Sequence, residues 1–154
     1  MKIQTVLHID DDKIIGRMVK LVLEKMAGWE VEYCSSCEAA LEYIKRNEPD
    51  IVLLDIMMPD ADGPTTLKTL RRQGLSEDVP AIFMSAKVMS GMSENFSALD
   101  IAGIIQKPFN PATLTDEIQL LVDKFETNRR SERQHTSTVY GGVRNRIRSS
   151  HALA

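Results

Sequence analysis

Asp10, Asp11 and Asp12, then Asp55, Ser85 and Lys107 are residue types that can handle a phosphoryl group, and each group stands where a short apolar run stops. The runs are Val6–Ile9, Ile51–Leu54, Ala81–Met84 and Ile104–Gln106. Carboxylates brought close together repel unless a cation offsets them, and oxygen ligands with room left for water and phosphate favour Mg2+. A metal-held carboxylate with a free oxygen is a nucleophile toward phosphorus, and its product is an aspartyl phosphate. The equatorial oxygens then need neutralising, which Mg2+ and the Lys107 ammonium would supply. Ser85 is small enough to donate a hydrogen bond to the bound group. One such strand end would be an ordinary polar loop residue; four on one rim describe a site.

The elements that must position these residues alternate along the chain. Apolar runs predict strands at 4–9, 30–34, 50–54, 80–84 and 103–106. Between them, Lys13–Met26 reads as a helix with Ile14, Met18, Leu21, Val22 and Lys25 keeping an apolar stripe on one face. Ser36 is a candidate cap for a second helix through Glu38–Asn47, with Ala40, Leu41 and Ile44 inward. A third begins near Pro64, a good first-turn residue, and carries Leu67 and Leu70. A fifth follows Asn110–Pro111 and presents Leu114, Ile118, Leu121, Val122 and Phe125. The fourth, about Ser90–Leu99, is weak, because Gly91, Ser93, Asn95 and Ser97 lower its propensity; it is expected to be the most mobile element. Alternation of this density predicts an α/β domain with helices on both faces of a five-stranded parallel sheet, so the strand ends share one rim.

The chain has 154 residues, enough to bury a real core, and 43% of them are apolar, which excludes disorder throughout. No apolar stretch approaches the roughly 20 residues that cross a bilayer, and the N-terminus has no signal-peptide pattern, so a cytoplasmic protein is expected. Two cysteines do not make a disulfide framework. Residues 1–125 hold 13 Lys/Arg and 20 Asp/Glu, whereas residues 126–154 hold six Arg and two Glu. An acidic body has no general attraction for nucleic acid. The basic tail, poor in apolar anchors, is expected to be flexible, and at this length it is too short for a three-helix DNA-binding domain.

Residues 4–125 resemble the receiver domain of two-component response regulators, in its single-domain, chemotaxis-regulator-like form. The motifs that carry the resemblance are His8-Ile9-Asp10-Asp11-Asp12, Leu53-Leu54-Asp55-Ile56-Met57-Met58-Pro59-Asp60-Ala61-Asp62-Gly63, Met84-Ser85-Ala86 and Gln106-Lys107-Pro108-Phe109. The resemblance implies a flavodoxin-like (βα)5 three-layer sandwich with sheet order 2-1-3-4-5 and the site at the topological switch point. It implies that Asp55 is the phosphoacceptor. Asp10, Asp11, Asp55 and the backbone carbonyl of Met57 would hold Mg2+, and Ser85 and Lys107 would engage the phosphate. It further implies a cis Lys107–Pro108 bond. The family usually carries an aromatic residue where Ile104 stands, coupled to the Ser/Thr as a rotamer switch. The response is therefore expected to run through Ser85 and the fourth helix instead.

The implied protein comprises a receiver over 1–126 and a tail over 127–154. It is a stand-alone signalling protein that takes phosphate from a sensor histidine kinase or histidine phosphotransfer protein. It acts on itself rather than on a separate substrate, and hydrolyses the phosphoryl group slowly. Its output would go to a downstream protein, or to a second copy through the face of the fourth helix, fifth strand and fifth helix. The rival of another class is a nucleic-acid-binding regulator using the tail arginines, a salt-dependent and unspecific attraction. A hydrolase of free phosphate esters is a second rival, without a pocket signature. Cys34 and Cys37 form a C-x-x-C at a strand–helix junction, read as coincidence rather than a redox pair, since no second Cys/His pair completes a zinc site. His8 is read as a core or strand-end residue.

Overall fold

The computed structural model describes residues 1–86 and 96–150, with side chains as far as 137 except that of Ser97. Five strands pair in parallel in the order β2-β1-β3-β4-β5, with β1 at Thr5–Ile9, β2 at Glu30–Cys34, β3 at Ile51–Asp55, β4 at Ala81–Ser85 and β5 at Gly103–Gln106. This is the expected order. The central strands β3 and β4 are buried along their whole length, as a parallel sheet covered on both faces requires. Register places Ile9 beside both Leu54 and Cys34, Asp55 beside Met84, and Ser85 beside Gln106. The strands therefore end in step at one rim.

Among the described residues, four α-helices close the two faces. Helices α1 (Lys13–Ala27) and α4 (Leu114–Ser150) cover one side, where Val19, Leu23, Ile118 and Val122 pack on Val6, Leu53, Ile82 and Met84. Helices α2 (Cys37–Ile44) and α3 (Gly63–Arg72) cover the other, where Ala40, Leu67 and Leu70 pack on Leu7, Val52, Leu54 and Phe83. The result is three layers. Caps fix the starts: Ser36 Oγ accepts from the Ala39 amide, and Asp62 accepts from the Thr65 amide one residue ahead of Gly63–Pro64. Gly28 ends α1 in the left-handed region at φ 70°, where a side chain would be strained.

Two sequence expectations need correction. The buried face of α1 is Gly16, Val19 and Leu23 with Ile15 and Val22 beside them; Ile14, Met18 and Leu21 of the proposed stripe face solvent. Several apolar faces overlap on this helix, and spacing alone does not choose between them. The second helix stops at Ile44 rather than Asn47, with Tyr43 O accepting the Asn47 amide beyond its end. Beyond 126 the chain continues as helix: α4 runs to Ser150, through the division expected between receiver and tail. Once residues 114–125 are packed as helix, extension adds a hydrogen bond per residue without a new nucleus, and no proline interrupts it. Arg129 also fastens the extension to the body, stacking over the Phe125 ring at 4.9 Å and pairing with Asp78 and Asp100, while Arg133 pairs with Asp78.

The fourth helix expected over Ser90–Leu99 lies mostly outside the described residues; within them, Ser97–Leu99 forms a 3-10 turn that follows the buried Phe96. Among the described residues no helix is long and apolar enough to cross a membrane.

Candidate functional site

Among the described residues, three carboxylates and one ammonium meet at the rim. Asp10 follows β1 directly, and Asp55 is the last residue of β3. Lys107 follows β5, its amide donating to Ser85 O at 2.6 Å, and its bond to Pro108 is cis. One carboxylate oxygen each from Asp10, Asp11 and Asp55 lies within 4.8 Å of the others. Lys107 Nζ donates to Asp10 Oδ2 at 2.6 Å and stands 3.4 Å from Asp55 Oδ1. The structure thus brings together Asp10, Asp11, Asp55 and Lys107, residues nearly one hundred positions apart. Ser85 ends β4 one residue beyond the partner of Asp55, and it is buried. Met57, in the loop after β3, is turned outward at its side chain, and its amide approaches Asp55 Oδ1 at 3.4 Å.

The electrostatics follow from placement. Asp10 is fully buried and Asp55 nearly so, whereas Asp11 is exposed. Burial pushes the Asp55 carboxyl above its ordinary range, and the neighbouring Asp10 charge pushes the same way. Lys107 and the Met57 amide pull it back. Asp10 is held on both oxygens: Oδ1 accepts from the Asp12 amide at 2.9 Å and Oδ2 from Lys107. Hard oxygen donors of net negative charge suit Mg2+, whose ligands at about 2.1 Å lie roughly 3–4 Å apart around the ion. Donors already within 4.8 Å need little movement to reach that spacing. The residues fit the ion.

Asp12 leaves the cluster. Its side chain caps α1, accepting from the Ile14 and Ile15 amides at 2.9 and 3.2 Å, so it competes for backbone donors rather than for a cation. The third residue of an acidic run ahead of a helix is in a capping position, a signal present in the sequence. Three contributors were missed. Tyr33 donates its hydroxyl to Asp10 O at 2.6 Å, tying β2 to the rim. Gly16 makes room for that ring, since a Cβ there would lie 2.3 Å from Tyr33 Cε2. Gly63 lets α3 start against β3, where a Cβ would meet Asp55 O at 2.8 Å and Ile56 Cα at 2.9 Å. A glycine inside an otherwise helical pattern was the available clue to Gly16.

His8 lies in the core, fully buried beneath the site, with Nε2 3.8 Å from Asp10 Oδ2 and its ring 5.8 Å from that of Tyr33. Burial, with Lys107 nearby, lowers its pKa to about 3, so the imidazole is neutral and the contact with Asp10 is not an ion pair. Cys34 is buried and Cys37 half-buried, and both are free thiols. Burial raises the Cys34 thiol to about 11, opposite to what a redox nucleophile needs.

Comparison with known proteins agrees with this geometry. The sequence profile of the response regulator receiver domain matches residues 6–119. A probable transcriptional regulator, ycf27, of Porphyridium aerugineum is 34% identical over 133 residues, covering 83% of this chain and 53% of that protein. The phosphate regulon transcriptional regulatory protein PhoB of Pseudomonas aeruginosa is 32% identical over 122 residues, covering 77% and 52%. The chain spans about half the length of these relatives. Among solved structures, chemotaxis protein CheY4 of Vibrio cholerae superposes with a TM-score of 0.71 at 28% identity, covering 77% of this chain and 98% of that one. A CheY-like receiver domain protein of Methanospirillum hungatei gives 0.70 at 25% identity, covering 82% and 98%.

Proposed function

Because the chain belongs to the response regulator receiver domain family, we propose that Asp55 accepts a phosphoryl group from a phosphohistidine on a sensor kinase or histidine phosphotransfer protein. The observation that carries this reading is the convergence of Asp10, Asp11, Asp55 and Lys107 on one rim. An Asp55 carboxylate oxygen attacks phosphorus, the P–N bond breaks as the P–O bond forms, and the imidazole leaves with the bonding pair and takes a proton. Asp10, Asp11 and Asp55, with the Met57 carbonyl, are the residues that would hold Mg2+. When bound, the ion neutralises charge on the phosphoryl oxygens and offsets repulsion among the carboxylates. Lys107 supplies the second cation, turning from Asp10 toward the phosphoryl group. Ser85 donates its hydroxyl to a phosphoryl oxygen. Slow attack of water on phosphorus returns the carboxylate and releases inorganic phosphate, so the protein acts on itself and has no separate substrate.

Output by protein contact, in the manner of a stand-alone receiver, is favoured over nucleic-acid binding by the tail. Arg129 and Arg133, two of the six tail arginines, are already paired with Asp78 and Asp100 and so are compromised as phosphate contacts. The test is transfer of radiolabelled phosphate from a phosphohistidine donor protein to this chain. Label that appears with Mg2+ and is lost in hydroxylamine, as an acyl phosphate is, supports the reading. Label that is stable to hydroxylamine, or absent with every donor, contradicts it. Deleting 127–154 separates the tail reading: a salt-dependent nucleic-acid affinity lost with the deletion would favour it.

A further inference from the structure

His8 is a fully buried polar side chain, and neither ring nitrogen has a hydrogen-bond partner among the described residues. A buried imidazole in that state is costly, and an apolar side chain would serve the core better. It sits directly under Asp10, with Nε2 3.8 Å from the Oδ2 atom that now accepts from Lys107 at 2.6 Å. That is too long for a hydrogen bond, and less than an ångström from being one. The position is also fixed laterally, because the Tyr33 ring packs against the imidazole while its hydroxyl holds the Asp10 carbonyl.

We propose that His8 is a positioning residue for Asp10: its Nε2–H takes over the hydrogen bond to Asp10 Oδ2 when Lys107 turns to the phosphoryl group on Asp55. The inference rests on the phosphoacceptor reading above. In the resting site Lys107 lies between Asp10 and Asp55, so the lysine cannot serve the phosphoryl group fully without loosening its hold on Asp10. Asp10 is buried, and besides the Mg2+ it would help to hold, its carboxylate would keep only the Asp12 amide on Oδ1, with no hydrogen-bond donor left on Oδ2. A donor waiting beneath it keeps the carboxylate aimed while the lysine moves. No proton is exchanged: Nε2–H donates where the lysine ammonium has withdrawn.

The test combines nitrogen-15 NMR of the His8 ring with two variants of the full chain. The ring is observed in the free protein, with Mg2+, and with Mg2+ plus beryllofluoride as the phosphoryl mimic, whose binding is followed by its own fluorine signal. The expected result is the Nε2–H tautomer, with that proton moving downfield only when beryllofluoride is bound. His8→Leu is expected to slow phosphorylation by a small-molecule donor about tenfold, the scale of one hydrogen bond to a charged group, while its thermal midpoint stays level or rises. His8→Gln, which offers an amide donor at similar reach, is expected to recover most of the rate. An Nδ1–H tautomer, an unchanged Nε2–H with beryllofluoride visibly bound, or equal rates for Leu and Gln variants would overturn the role of His8 alone. Absence of any beryllofluoride binding would overturn the phosphoacceptor reading, and the handover with it.

Discussion

Replacing Lys107 by Met keeps most of the length of the side chain and removes the ammonium that stands between two crowded carboxylates. With an effective dielectric of about 20, unit charges at the observed 2.6 and 3.4 Å attract by about 6 and about 5 kcal/mol. Desolvation of the lysine cancels much of this, and breaking buried pairs costs about 3–5 kcal/mol in practice. Lys107 retains some exposure, and Asp55, whose carboxyl already sits above its ordinary range, can relieve the repulsion by taking a proton. A loss of about 3 kcal/mol without metal is therefore expected, at the lower end of that range. In urea, with a slope of about 2 kcal/mol per molar, this lowers the midpoint by roughly 1.5 M. Saturating Mg2+ replaces the missing charge and should remove at least half of the difference. Equilibrium urea unfolding of both proteins, with EDTA and with Mg2+, reads this directly. A loss below about 1 kcal/mol in EDTA, or one of the same size with and without Mg2+, would refute the reasoning that Lys107 and the cation compensate the same charges.

The raised Asp55 carboxyl has a pH signature. Its contribution to stability is complete below the unfolded value of 3.8 and is lost as pH rises through the higher folded value, so Asp55→Asn should gain on the wild type over that rise in metal-free buffer. Thermal unfolding of the two proteins at several pH values checks the difference, which Mg2+ should erase. Gly63→Ala drives a Cβ to within 2.8 Å of Asp55 O and 2.9 Å of Ile56 Cα, backbone atoms that cannot swing aside. It should cost about 2 kcal/mol or more by urea unfolding and slow phosphorylation of Asp55. Cys34, buried with its thiol at about 11, should resist iodoacetamide at mildly alkaline pH in the native protein while Cys37 reacts; mass spectrometry should find one adduct before denaturation and two after.

The rim was legible because its residues obey two independent regularities. Each candidate closes an apolar run, and the runs alternate with helical spacing, so Asp10, Asp55, Ser85 and Lys107 had to fall on one side of a parallel sheet. What was not legible depends on choices between local competitors. Asp12 was counted with the acidic cluster, yet two free amides at the start of α1 claim its side chain. Ile14, Met18 and Leu21 satisfy helical spacing as well as the residues that are actually buried, and only packing against β2 and α4 decides. The helix beyond 126 has no apolar stripe to announce it. It is carried by continuation from a packed segment and by arginines whose partners, Asp78 and Asp100, lie far away in sequence. Tyr33 holds the Asp10 carbonyl and His8 lies beneath its carboxylate, placements that no spacing rule contains.

The central claim is that Asp55 is phosphorylated in a site completed by a divalent cation. Intact mass after incubation with a small-molecule phosphodonor tests it, beside Asp55→Asn and an EDTA control. The expected result is a gain of one phosphoryl group with Mg2+, absent from the variant and from the metal-free sample. No gain in the wild type, or an equal gain in Asp55→Asn, would contradict it.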